Sequence, residues 1–155
     1  MRKMTDFHQI TPGFYVAAQL GPEDIARAAK LGFRTIINNR PDGESPEQPS
    51  ALEVEQLSAE AGLEHHYLPV RGFQITDEDN VSSFERVLAA SPEPVLAFCK
   101  SGTRSAMLWA QAMAGGDTLS VTDILVMTAD AGFDLGILRD ELEEIAAEAA
   151  LRRAA

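Results

Sequence analysis

The sequence contains one cysteine, Cys99, and five positions later an arginine, Arg104, with Lys100, Ser101, Gly102 and Thr103 between them. The cysteine ends the apolar run "VLAF", and "SAMLWAQAMA" follows the arginine with the look of a buried helix. A strand end, a glycine turn and a helix start aim several backbone N–H groups at one point, where the helix dipole adds partial positive charge. Gly102 permits the crowded or left-handed backbone that such a turn needs. Arg104 can hold two oxygens of a tetrahedral oxyanion with parallel hydrogen bonds, a geometry lysine lacks. Thiolates form readily at helix N-termini and beside cations. Cys99 therefore reads as a nucleophile that needs no adjacent general base, and residues 100–103 with Ser105 as the cradle that holds an anion against it.

The rest of the chain must bring these groups together. "FHQIT" and "FYVAAQ" read as short strands joined through Pro12-Gly13. Pro22 in a first turn and Gly32 past the end predict a helix over residues 22–31. "FRTIINN" is a strand by its β-branched content. Ser50 and Glu53 form a capping box for a helix over 51–61, which Gly62 stops. "LEHHYLPV" is the next strand, Thr76 with Asp79 suggests a cap for a helix running to Ala90, and "VLAF" suits a strand buried on both faces. Beyond Arg104 the pattern is helical: a capped segment from Ser120, then an apolar stripe of Leu138, Leu142 and Ile145. The alternation predicts an α/β fold, a mostly parallel central sheet flanked by helices, with a helical C-terminal third. Residues 1–155 are expected to form a single domain.

In open α/β sheets ligands gather at the carboxyl ends of strands. Three strands end at "NNRPDG", "PVRGFQ" and "CKSGTR", and each loop carries an arginine: Arg40, Arg71 and Arg104. The first of these loops, residues 38–50, is long and turn-rich, as functional loops often are. Lys and Arg number 13 against 24 Asp and Glu, a net charge of −11. Such a surface repels nucleic acid and anionic membrane, so neither is an expected partner, and an anion must be captured by a local concentration of donors. A lone cysteine and no signal-like or bilayer-length apolar segment fit a cytoplasmic protein. Adjacent His65 and His66 point to opposite faces of a strand and cannot chelate one metal. His8 is isolated, and Met107, Trp109 and Met113 read as core. No metal spacing or nucleotide fingerprint appears, and no cofactor is expected.

"CKSGTRS" between strand and helix resembles the active-site loop shared by cysteine phosphatases and rhodanese-type sulfurtransferases. "QLGPEDIARAAKLGFRTIINNRPDGE" and "PVLAFCKSGTRSAMLW" resemble the phosphatase-like domain of the beta-lactamase-hydrolase-like protein family, over residues 7–142. That domain also occurs fused to enzymes of sulfide and persulfide oxidation. The resemblance implies a fold like that of dual-specificity phosphatases, Cys99 as nucleophile and residues 100–105 as anion cradle.

Three features depart from true phosphatases. Their loop places five residues between cysteine and arginine; four stand here, as in rhodaneses, which makes a smaller ring suited to a single sulfur. Phe98 replaces the usual histidine before the cysteine. The loop "PVRGFQ" lacks the aspartate that commonly protonates a leaving oxygen. Asp77, Glu78 and Asp79 are placed as helix-start acids usually are, and Asp42 is a second candidate acid. Sulfur transfer needs none, because its leaving group is already stable as an anion. The leading expectation is therefore sulfane-sulfur transfer through a Cys99 persulfide, from a small anionic donor such as thiosulfate or a persulfide to a thiol such as glutathione or to sulfite. The alternative is a tyrosine or dual-specificity type phosphatase acting on a phosphate ester through a cysteinyl-phosphate. A third is a non-catalytic module that senses an anion or persulfide. Arg40, Asp42 and Arg71 are expected to surround the site.

Overall fold

The computed structural model describes residues 4–155. Five strands form, β1 (His8–Thr11), β2 (Phe14–Ala17), β3 (Thr35–Asn38), β4 (Glu64–Tyr67) and β5 (Val95–Phe98). Six α-helices accompany them: α1 (Pro22–Lys30), α2 (Ala51–Glu60), α3 (Glu78–Ala90), α4 (Thr103–Ala114), α5 (Val121–Asp130) and α6 (Arg139–Ala154). The strands lie in the order β1-β2-β5-β3-β4, with β1 antiparallel to β2 and the remaining pairs parallel. The expected α/β architecture, mostly parallel with a helical last third, is what the chain adopts.

The two-residue period of the strands divides the core. In β5, Val95 and Ala97 face a cluster with Phe14, Val16 and Ile37, covered by α3, α4, α5 and α6. Leu96 and Phe98 point the other way, to Ala17, Leu20, Ile25, Ile36 and Val54, beneath α1 and α2. All four residues of β5 are buried, as a continuous apolar run in a parallel sheet requires. Trp109 of α4 stacks on Phe14 with ring centroids 5.9 Å apart, and Phe84 meets Phe14 edge-on. Met107 and Met113 pack against the same cluster, so these side chains of α4 are core.

Caps set most helix ends where the sequence places them. Ser50 Oγ accepts from Glu53 N at 3.1 Å, and Ser120 forms a reciprocal box with Asp123. The cap of α3 differs from expectation. The helix begins at Glu78 after Asp77, and the Thr76–Asp79 pair does not cap it. The side chain of Asn80 donates to Gln74 O instead, tying α3 to the 3-10 turn Gly72–Gln74.

Candidate active site

Because β3, β4 and β5 are adjacent and parallel, the loops after them emerge side by side at one end of the sheet. The loop of Cys99 is pinned from both neighbours. Cys99 N donates to Ala17 O and Gln19 N to Lys100 O on the β2 side, and Asn39 N donates to Phe98 O on the β3 side. Cys99 is fully buried at the base of this loop. Its sulfur accepts a hydrogen bond from Gly102 N at 3.1 Å. Gly102 holds φ +94° as the residue before α4, so the chain turns back over the sulfur and the twelve-residue helix starts there. An amide donated to sulfur and the N-terminus of α4 thus meet at Cys99, with the Arg104 guanidinium five residues on.

Arg104 has five N–H donors in one plane. Nη1 donates to Glu44 Oε2 at 2.8 Å and to Val70 O at 2.9 Å, and Nη2 donates to Glu44 Oε1 at 2.9 Å. Nε–H and one Nη2–H remain, on the next edge of the plane. The hydrogen bond to Glu44 pushes the Arg104 pKa up; partial burial opposes this and the nearby Cys99 sulfur reinforces it. Arg40, also at the site, donates from Nε to Glu44 Oε1 at 3.0 Å and from Nη1 to Gln19 Oε1 at 2.9 Å. Glu44 thus sits between two guanidinium groups. Its hydrogen bond to Arg104 holds its pKa below the ordinary 4.5; partial burial opposes this and Arg40 reinforces it.

The remaining expected residues divide. Lys100 and Ser101 are exposed, and Ser101 Oγ lies 3.1 Å from Thr103 Oγ1 on the rim of the loop. Ser105 is buried and its hydroxyl donates to Asn39 Oδ1 at 2.8 Å. It therefore braces the loop from behind. Asp42 is engaged at the start of a helix. Its Oδ1 accepts from Ala51 N at the start of α2, and its own N–H donates to the Tyr67 hydroxyl. Arg71 is exposed beside Val70, outside the Arg40–Glu44–Arg104 cluster. His65 and His66 lie within β4, His66 3.4 Å from Glu64, and burial holds the His65 pKa below its ordinary value.

Three residues of the site escape the sequence reading: Glu44, Gln19 and Asn39. Asn39 joins three segments, accepting from Ser105 and donating from Nδ2 to Leu68 O at 2.9 Å. The available signal was a carboxylate, Glu44, four residues after Arg40 in a loop already marked by its length. Among the described residues no group of three or more His, Cys, Asp or Glu could hold a metal ion.

The family described as "Beta-lactamase hydrolase-like protein, phosphatase-like domain" matches residues 6–116. A beta-lactamase hydrolase-like protein of Xylella fastidiosa is 36% identical over 121 residues, which cover 78% of this chain and 28% of that protein. The chain thus spans little more than a quarter of such relatives. A solved candidate phosphatase from Neisseria meningitidis is 32% identical, with a TM-score of 0.79 over 88% of this chain and 96% of that one. The kinase associated phosphatase superposes with a TM-score of 0.74 over 97% of this chain and 98% of its own, at 15% identity, a likeness of fold. With the family match over residues 6–116 and the Xylella fastidiosa relative in agreement, the chain belongs to the phosphatase-like domain family of the beta-lactamase hydrolase-like proteins.

Proposed function

We propose that this domain is a cysteine-dependent phosphatase acting on small phosphate monoesters, the alternative of the two enzymatic readings of the sequence. The observation that carries the proposal is Arg104, five residues after the buried Cys99 and braced on Glu44 and Val70 O with its Nε–H and one Nη2–H left over. The phosphatase-like fold and the 32% identical relative support the same chemistry.

The Cys99 thiolate attacks phosphorus, an S–P bond forms and the ester P–O bond breaks. The Nε/Nη2 edge of Arg104, the N-terminus of α4 and the amides of residues 100–103 hold the equatorial oxygens as charge spreads over them. Water then attacks phosphorus, the S–P bond breaks, and inorganic phosphate leaves with the thiolate restored. The leaving oxygen needs a proton or must be stable without one. Asp42 is committed to α2, and Glu44 is held ionised between two arginines. Aryl esters, whose phenolate leaves readily, are therefore the better substrates.

Sulfane-sulfur transfer remains the second reading, favoured by two features of the loop. Only four residues separate Cys99 from Arg104, and Phe98 precedes the cysteine. One assay pair separates the two. Aryl phosphate hydrolysis that Cys99→Ser abolishes, with no thiocyanate formed from thiosulfate and cyanide, is the expected result. Thiocyanate formation without phosphate release reverses the order. Indifference of both activities to Cys99→Ser removes both readings.

A further inference from the structure

We infer that Glu44 is a positioning residue of this site, holding the plane of the Arg104 guanidinium so that its Nε/Nη2 edge is presented to an oxyanion above Cys99. Its part in turnover rests on the phosphatase reading; its part in anion binding does not.

The case is one of counted donors. A guanidinium on a flexible stem can rotate among several pairings, and only one edge at a time can face the sulfur. Here the end of the group is clasped by both oxygens of Glu44, and Val70 O takes the outer Nη1 proton. Three fixed acceptors define the plane, and the edge that remains is the one suited to bidentate binding. The clasp is itself anchored. Glu44 Oε1 also accepts from Arg40, which is 5% exposed, and Arg40 is held by Gln19, whose N–H donates to Lys100 O in the cysteine loop. The contacts therefore run from the loop through Gln19, Arg40 and Glu44 to Arg104, and close on the loop again. Such a closed set orients a charged donor before substrate arrives, which is where electrostatic catalysis gains most. Glu44 lies on the long segment after β3, so that loop serves the site through one carboxylate.

A competing role has the opposite signature: a carboxylate on two arginines can also exclude anionic substrate, and removing it would then tighten binding. Glu44→Gln, Glu44→Asp, Arg104→Lys and the double variant Glu44→Gln/Arg104→Lys distinguish the two. The measurements are aryl phosphate kinetics and calorimetric binding of orthovanadate, a tetrahedral oxyanion that can accept a fifth ligand. For Glu44→Gln, kcat falls on the order of 10²-fold with KM changing far less, and orthovanadate binding weakens. Glu44→Asp, which keeps the charge on a shorter stem, lies between wild type and Glu44→Gln. In the Arg104→Lys background the Glu44→Gln loss disappears, because both residues act through one guanidinium. Tighter orthovanadate binding or an undiminished kcat in Glu44→Gln overturns the inference, as does an equal loss in both backgrounds. Wild-type protein that fails to bind orthovanadate also overturns it. Wild-type protein that binds orthovanadate and cleaves no aryl phosphate removes the phosphatase reading, and the binding comparison then decides Glu44.

Discussion

A carboxylate between two guanidinium groups must be ionised to stay there, so Glu44 links the site to pH. Its folded-state pKa lies below the ordinary 4.5, chiefly because Arg104 donates to it. Lowering a carboxylate pKa on folding adds stability that is complete above the unfolded-state value and fades as pH falls through the folded-state value. The group is largely solvent-facing, so screening keeps the contribution small. The expected outcome is a melting-temperature difference between wild type and Glu44→Gln that is constant above about pH 5 and shrinks as the pH drops further. A difference that persists undiminished to pH 3 would mean that Glu44 is not paired as an anion. Arg40 and Asp42 show the limit of reading single residues from a loop. Both were placed near the site, but one turns inward to Glu44 and the other caps α2. Nothing in the spacing distinguishes them, because the path of residues 39–50 depends on Tyr67 and Gln19, both distant in sequence.

At the scale of elements, the hinge between β5 and α4 concentrates the constraint in Gly102. Its φ of +94° disfavours any side chain, and a Cβ there would stand 3.0 Å from Phe133 Cζ and 3.4 Å from the Ala17 carbonyl carbon. The left-handed conformation costs a non-glycine residue about 1–2 kcal/mol, and the Phe133 ring would have to give way by a few tenths of an ångström. Gly102→Ala is therefore expected to lose at least about that much stability, measured by denaturant unfolding. It should also lose aryl phosphatase activity, since the amide that donates to Cys99 belongs to the same residue. Full activity with unchanged stability would show that the turn accepts another conformation. The strain itself was legible from a glycine between an apolar strand and a helix. Phe133 as its neighbour was not, because that contact joins residues thirty-one positions apart. The same holds for the caps: Ser50 and Ser120 are read correctly from i, i+3 pairs, whereas the start of α3 depends on Asn80 reaching back to Gln74. Short-range chemistry was readable and the brace behind the loop, Asn39 with Ser105, was not.

For the whole molecule, the net charge is −11. Acidic side chains such as Glu78, Glu85, Glu141, Glu144 and Glu148 line a groove between α3 and α6, while Arg40 and Arg104 converge at the carboxyl end of the sheet. The helices beyond residue 116 lie outside the matched family region, yet they complete the core that supports the cysteine loop. Val121, Ile124, Phe133, Leu135, Leu138 and Leu142 are buried in one cluster with Phe14, Val16, Ala97 and Trp109. Without them the faces of Phe14, Val16, Ala97 and Trp109 that they cover would meet water, and burial of side chains of this size stabilises by about 1.5–3 kcal/mol each. We propose on this basis that the entire described chain folds as one unit. A protein ended after Gly116 is then expected to show no cooperative thermal transition, while the full chain unfolds in a single step, both followed by circular dichroism. The site should disappear with the fold, because Phe133, which packs over Gly102, goes with the removed segment. A truncated chain that melts cooperatively and keeps Cys99-dependent activity would make α5 and α6 an attachment to a smaller domain, and would move the support of the cysteine loop onto the β2 and β3 contacts.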